Sequence, residues 1–171
     1  AATRSEDRCA AVGLAADGQW QAQAAAIGSR FADGAVREQL ARVGTVQMHW
    51  LARVRDNCEA GQSGRLAPDL RRAREACLDQ RAAQLGTVGS QVVVADDAAE
   101  ALYLLAQVPG RDDCDDAVAL GGVTPPALAD AAAVQAERRA LAVIAGLEVA
   151  GAYSEAIAAL GPLERRALAL G

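Results

Sequence analysis

The side chains able to do chemistry in this chain are few and widely spread. His49 is the only histidine, so a multi-histidine zinc or iron centre is excluded. It stands in Met48-His49-Trp50, a setting that predicts a partly buried position on a helix. The four cysteines, Cys9, Cys58, Cys77 and Cys114, include no Cys-x-x-Cys pair, which argues against a zinc ribbon or a redox motif. All 17 basic residues are arginine, so a phosphate loop that ends in lysine cannot be built. Gly86-Thr-Val-Gly89 is too short to cradle phosphates and is expected to mark a helix irregularity. Asp112, Asp113, Asp115 and Asp116 lack the spacing of the twelve-residue calcium loop and read as a solvated turn before a helix. The expectation is a chain with no metal, no cofactor and no catalysis of its own.

What must position these residues follows from composition. The chain has 171 residues, room for one domain or for one domain plus a short repeat module. Hydrophobic residues make up 52% and aromatics only 3%. Roughly a quarter is alanine, the strongest helix former, while strand formers are scarce, so the predicted fold is all-α. A net charge of -5 argues against a nucleic-acid partner, which calls for a basic face. No apolar run is long enough to span a membrane.

Periodicity places the elements. Cys9 to Leu14 and Trp20 to Phe31 read as two short helices separated by Asp17-Gly18. Val36, Leu40, Val43, Trp50, Leu51, Val54 and Cys58 form the stripe of a long helix between Gly34 and Gly61. A fourth helix starts near Pro68 with Leu70, Ala73, Cys77, Leu78, Leu85 and Val88 on one face. Asp97, three residues before Glu100, has capping-box spacing. The helix it opens turns Ala98, Ala101, Leu102 and Leu105 inward and ends at Pro109-Gly110. Cys114 to Leu120 reads as another short helix, and Thr124-Pro125-Pro126 as the start of the next.

The last segment has a different texture. Ala140, Val143, Ile144 and Leu147 make one stripe; Tyr153, Ile157, Leu160, Leu163, Ala167 and Leu170 make a second, with Gly151-Ala152 between them. Two antiparallel helices joined at a glycine are expected. Gly151-Ala-Tyr-Ser-Glu-Ala-Ile157 resembles the turn and second-helix start of a tetratricopeptide repeat, with Gly151 and Ala156 as its small residues. Ala140 and Ile144 depart from that repeat's tryptophan and glycine. The division expected is a cysteine-containing helical region over 1–123 and a tetratricopeptide-like hairpin over 124–171 packed on it, the two together forming one continuous domain or a pair.

Four cysteines allow three connectivities. Neighbouring antiparallel helices favour Cys9–Cys58 and Cys77–Cys114, each joining elements expected to be adjacent. Such bonds persist in oxidising compartments, so an extracytoplasmic home is expected.

Arg74-Glu-Ala-Cys77-Leu78-Asp-Gln-Arg81-Ala-Ala-Gln-Leu85 resembles an R-x-x-C-L-x-x-R-x-x-x-L segment in the C-terminal region of membrane-anchored, eukaryotic-like bacterial serine/threonine protein kinases of the myxobacterial type. The resemblance extends to Cys9, Trp20, Phe31, Trp50 and Cys58-Glu-Ala60 upstream, and to Ala98, Ala101, Leu102, Val108-Pro109 and Cys114-Asp115 downstream. The stretch between Cys58 and Cys77 is shorter than that pattern usually has. The resemblance implies a sensor or protein-interaction region outside the membrane. One transmembrane helix would precede it, and the kinase domain would lie on the other side. The glycine-rich nucleotide loop, H-R-D and D-F-G of a kinase are absent from this chain. The implied ligand is an unidentified protein or peptide, and a homodimer is compatible with the layout. Tyr153, Arg138, Arg139, Arg165 and Arg166 are the candidate contacts, on the concave face of the hairpin. The alternatives are a free-standing tetratricopeptide-like scaffold without a kinase and a small-ligand-binding helical bundle.

Overall fold

The computed structural model describes Cys9 and residues 11–108, 114–121, 126–127 and 129–169. Among these the regular elements are helices: α1 (Leu14–Arg30), α2 (Gly34–Gln62), α3 (Pro68–Val94), α4 (Ala98–Ala106), α5 (Ala117–Gly121), α6 (Ala131–Val149) and α7 (Tyr153–Ala169). The all-α expectation holds for them. None of the helices is long and apolar enough to cross a membrane.

α1 runs through Asp17-Gly18, where a break was expected. Asp17 lies in the first turn, where an acid favours the helix dipole. Gly18 costs only about 1 kcal/mol in a helix, less than burial of Trp20 and Ile27 returns. The real punctuation is Gly13, left-handed at φ 86, in the turn that leads from Cys9 into the helix.

Asp33 opens α2 by accepting from Ala35 N at 2.7 Å and Val36 N at 3.3 Å. The helix continues past Gly61 and stops at Gly64, also left-handed, where the amides of Arg65 and Leu66 return to the Ala60 carbonyl. Gly61 has a different task. A Cβ there would lie 2.3 Å from Cδ of Arg71, whose side chain is laid across it from α3.

Pro68 starts α3 as expected. Asp97 opens α4 by accepting from Glu100 N at 2.9 Å, while Glu100 reaches back to the amide of Asp96 at 2.6 Å, one residue earlier than a strict capping box. Arg42 of α2 donates to the Leu105 carbonyl at 2.6 Å and to the Val108 carbonyl at 3.2 Å, a cation on the negative end of α4. Pro109-Gly110 lies outside the described residues. α5 begins three residues after Cys114, with Asp116 accepting from Val118 N and Ala119 N. Thr124 and Pro125 also lie outside the described residues. Pro126 precedes α6 by a turn rather than starting it, and the helix begins after Asp130 with an alanine run.

α3 is the centre of the molecule, touching α1, α2, α4, α5 and α6, and α7 packs on α6. The larger core joins Trp20, Ile27 and Phe31 of α1, Val36 and Val43 of α2, Val88 and Val92 of α3, and Ala101, Leu104 and Leu105 of α4. Leu104 takes the fully inward place that the sequence pattern assigned to Leu102, which is only partly buried. Val149 and Ala150 of the hairpin pack on this same core, so both parts of the chain share one interior. A second core gathers Trp50, Leu78 and Cys114, with the Trp50 indole N–H donating to the Leu78 carbonyl at 2.9 Å.

Gly86-Thr-Val-Gly89 lies within an unbroken α3 and marks no irregularity. These small residues are where three helices meet. Gln23 of α1 donates from Nε2 to the Gly86 carbonyl and to Ser90 Oγ, both at 2.9 Å, and a Cβ on Gly89 would stand 2.4 Å from its Oε1. From the other side, Gly146 of α6 presses on Thr87, 2.8 Å from its Cβ if a Cβ were added.

Candidate functional site

Both expected disulfides are present. Cys9–Cys58 has an S–S distance of 2.05 Å and Cys77–Cys114 one of 1.98 Å. The first fastens the start of the described chain to the end of α2, and the second fastens α3 to the turn before α5. Beside the second bond, Arg74 of α3 joins Asp56 of α2 at 2.8 Å and also pairs with Asp115, which Arg53 of α2 meets at 2.9 Å. The acidic cluster thus splits by role. Asp115 holds arginines and Asp116 caps α5, whereas Asp112 and Asp113 lie outside the described residues.

His49 stands exposed on α2 next to exposed Met48, not partly buried as its neighbours implied. Trp50, one position on, takes the inward direction instead. Among the described residues no three His, Cys, Asp or Glu side chains converge so as to hold a metal ion.

The five expected partner contacts do not share one face. Arg139 and Gln135 of α6 bind Asp79 of α3, the latter at 3.3 Å. Arg138 lines the same α3–α6 groove, a space of about 220 Å³ walled by Ala73, Ala76, Pro126 and Ala131. Arg166 of α7 donates to Glu137 at 2.7 Å on the opposite side of α6. That hydrogen bond, more than the carboxylate's charge, raises the Arg166 pKa above its ordinary value. Arg165 and Tyr153 are exposed on α7.

α7 carries two apolar arcs where one stripe was expected. Ala156, Ala159 and Leu163 turn toward α6, with Ala156 and Leu163 buried. Tyr153, Ile157, Leu160 and Leu168 stand 62%, 72%, 47% and 75% exposed along the outer side. Leu170 is outside the described residues. In the sequence the two arcs merge because alanine supplies most of the inward one. The separating signal is the i, i+4, i+7, i+15 spacing of the large residues, about a quarter turn away from Ala156 and Leu163. Gly151, left-handed at φ 74, reverses the chain, and the Arg166–Glu137 pair fixes the two helices as antiparallel.

Compared with known protein families, curated proteins and solved structures, the chain has no match in any of the three.

Proposed function

We propose that this chain is the non-catalytic, extracytoplasmic sensor and protein-interaction region of a receptor-type bacterial serine/threonine kinase, which takes a protein or peptide on the outer face of a tetratricopeptide-like hairpin. The observation that carries the reading is the row Tyr153, Ile157, Leu160 and Leu168. A helix that keeps a row of large apolar side chains in water has the character of a contact surface. Gly151 at the turn and buried Ala156 at the helix pairing fit the tetratricopeptide pattern. Two disulfides that close long loops are compatible with an oxidising compartment.

Two experiments test this. The reading frame upstream should encode a kinase domain followed by an apolar helix of roughly 20 residues. An independent start or a cleavable signal there would favour the free-standing scaffold instead. In the parent protein, Ile157→Glu should abolish the response of kinase autophosphorylation to ligand and leave the melting temperature of the region unchanged. An intact response would overturn the role given to α7.

A further inference from the structure

We propose that Cys58 is a site of thiol exchange, at which a low-molecular-weight thiol enters the neighbouring cavity, opens the Cys9–Cys58 bond and stays attached to Cys58. The chemistry stands independently of any kinase. Exchange at a disulfide is decided by which sulfur can be reached and which sulfur leaves more easily. The two ends of this bond differ in both respects.

Reach comes first. Cys9 is 0% exposed, whereas Cys58 is partly exposed. Cys58 also lines a cavity of about 410 Å³, in the range of small-molecule sites, and Cys9 does not. Val12, Val54 and Leu78 give that cavity an apolar wall for a short stem, and exposed Glu75 marks its solvent side. A thiol that enters there meets Cys58.

Gln62 decides the leaving sulfur. Its Nε2 stands 3.0 Å from Cys9 Sγ and 3.6 Å from Cys58 Sγ. A disulfide sulfur carries no hydrogen and can only accept, so the amide nitrogen is the atom turned toward the bond. In the exchange, the incoming thiolate forms a new S–S bond to Cys58 Sγ and the Cys9–Cys58 bond breaks. The electron pair of the broken bond goes to Cys9 Sγ, which leaves as a thiolate and then takes a proton from water. One disulfide is lost within the chain and one is formed with the small thiol, so no oxidant or other reductant is needed. A hydrogen bond to a charged group is stronger than one to a neutral group, so the Gln62 donor favours the state in which Cys9 carries the charge. Cys77–Cys114 is the internal comparison: Cys114 is 0% exposed and belongs to the second core, against which Cys77 packs. Exchange at Cys58 therefore unfastens the start of the described chain from α2 and leaves the staple on α3 closed.

The test exposes the oxidised chain to 2-mercaptoethanol, quenches samples with acid, alkylates free thiols with N-ethylmaleimide and maps the products by mass spectrometry. Early samples should carry the mercaptoethanol adduct on Cys58 and the maleimide on Cys9, and Cys9–Cys58 should open before Cys77–Cys114. Gln62 is exposed, so its replacement leaves the core intact. Gln62→Leu should slow the opening about tenfold, the worth of one hydrogen bond to a charged group, with the melting temperature of the oxidised chain unchanged. Gln62→Lys, which restores a donor, should recover the rate. An early adduct on Cys9, equal opening of the two bonds, an undiminished rate in Gln62→Leu, or a rate in Gln62→Lys as slow as in Gln62→Leu would overturn the proposal.

Discussion

Gln47 is 2% exposed in the middle of α2, and its Nε2 has no partner. It borders a space of only about 10 Å³ beside Trp20, Gln23 and Gly86. A desolvated amide donor of this kind costs stability that an apolar side chain of similar volume does not. Gln47→Leu should therefore raise the unfolding free energy by about 1 kcal/mol in urea titration, and a loss would mean that the amide is satisfied. The cysteine pairing was legible at this scale because helix order brings only certain sulfurs together. The glutamines were not legible. Gln23 and Gln47 look like solvent-facing residues until they are seen beside Gly89 and Gly86, and a pattern of apolar positions has no way to register a polar side chain nested on bare backbone. His49 shows the opposite error: apolar neighbours in sequence implied burial, yet on a helix adjacent residues point about 100° apart.

At the scale of elements, the glycines inside helices divide by what surrounds them. Gly146 of α6 meets Thr87 and the Gln84 carbonyl of α3, the latter 3.4 Å from a would-be Cβ, so Gly146→Ala must push two helices apart. Its gain in helix propensity is overridden, and a net loss of about 1–3 kcal/mol is expected by denaturant unfolding. Gly44, in α2 with nothing within 4 Å, is the control. Gly44→Ala should gain about 0.5–1 kcal/mol from propensity alone. If the two substitutions behaved alike, the close α3–α6 approach would be wrong. Helix existence was readable almost throughout, since alanine-rich segments with 3.6-residue spacing have no competing structure. Boundaries failed where a glycine was taken as punctuation. Gly18 and Gly61 sit inside helices, and among the described residues the glycines at positive φ that turn the chain are Gly13, Gly64 and Gly151. The second apolar arc of α7 was hidden for a related reason, because alanines count as core and as surface with equal ease.

For the molecule as a whole, the disulfides close loops of 49 and 37 residues. Chain-entropy reasoning gives each about 4 kcal/mol, a large share of the 5–15 kcal/mol that holds a typical domain together. Reduction should lower the melting temperature by more than about 8 °C per bond in calorimetry, given a shift of roughly 2–4 °C per kcal/mol at this size. A smaller change would mean that helix packing alone carries the fold. The two bonds lie in the body formed by α1 to α5, and none reaches the hairpin. Tension applied through the C-terminal arm would therefore peel α7 from α6 and then α6 from α3, and rupture would stop at covalent rings that cannot be drawn out. The hairpin behaves as a mechanical fuse, yielding under load while the stapled body keeps its shape.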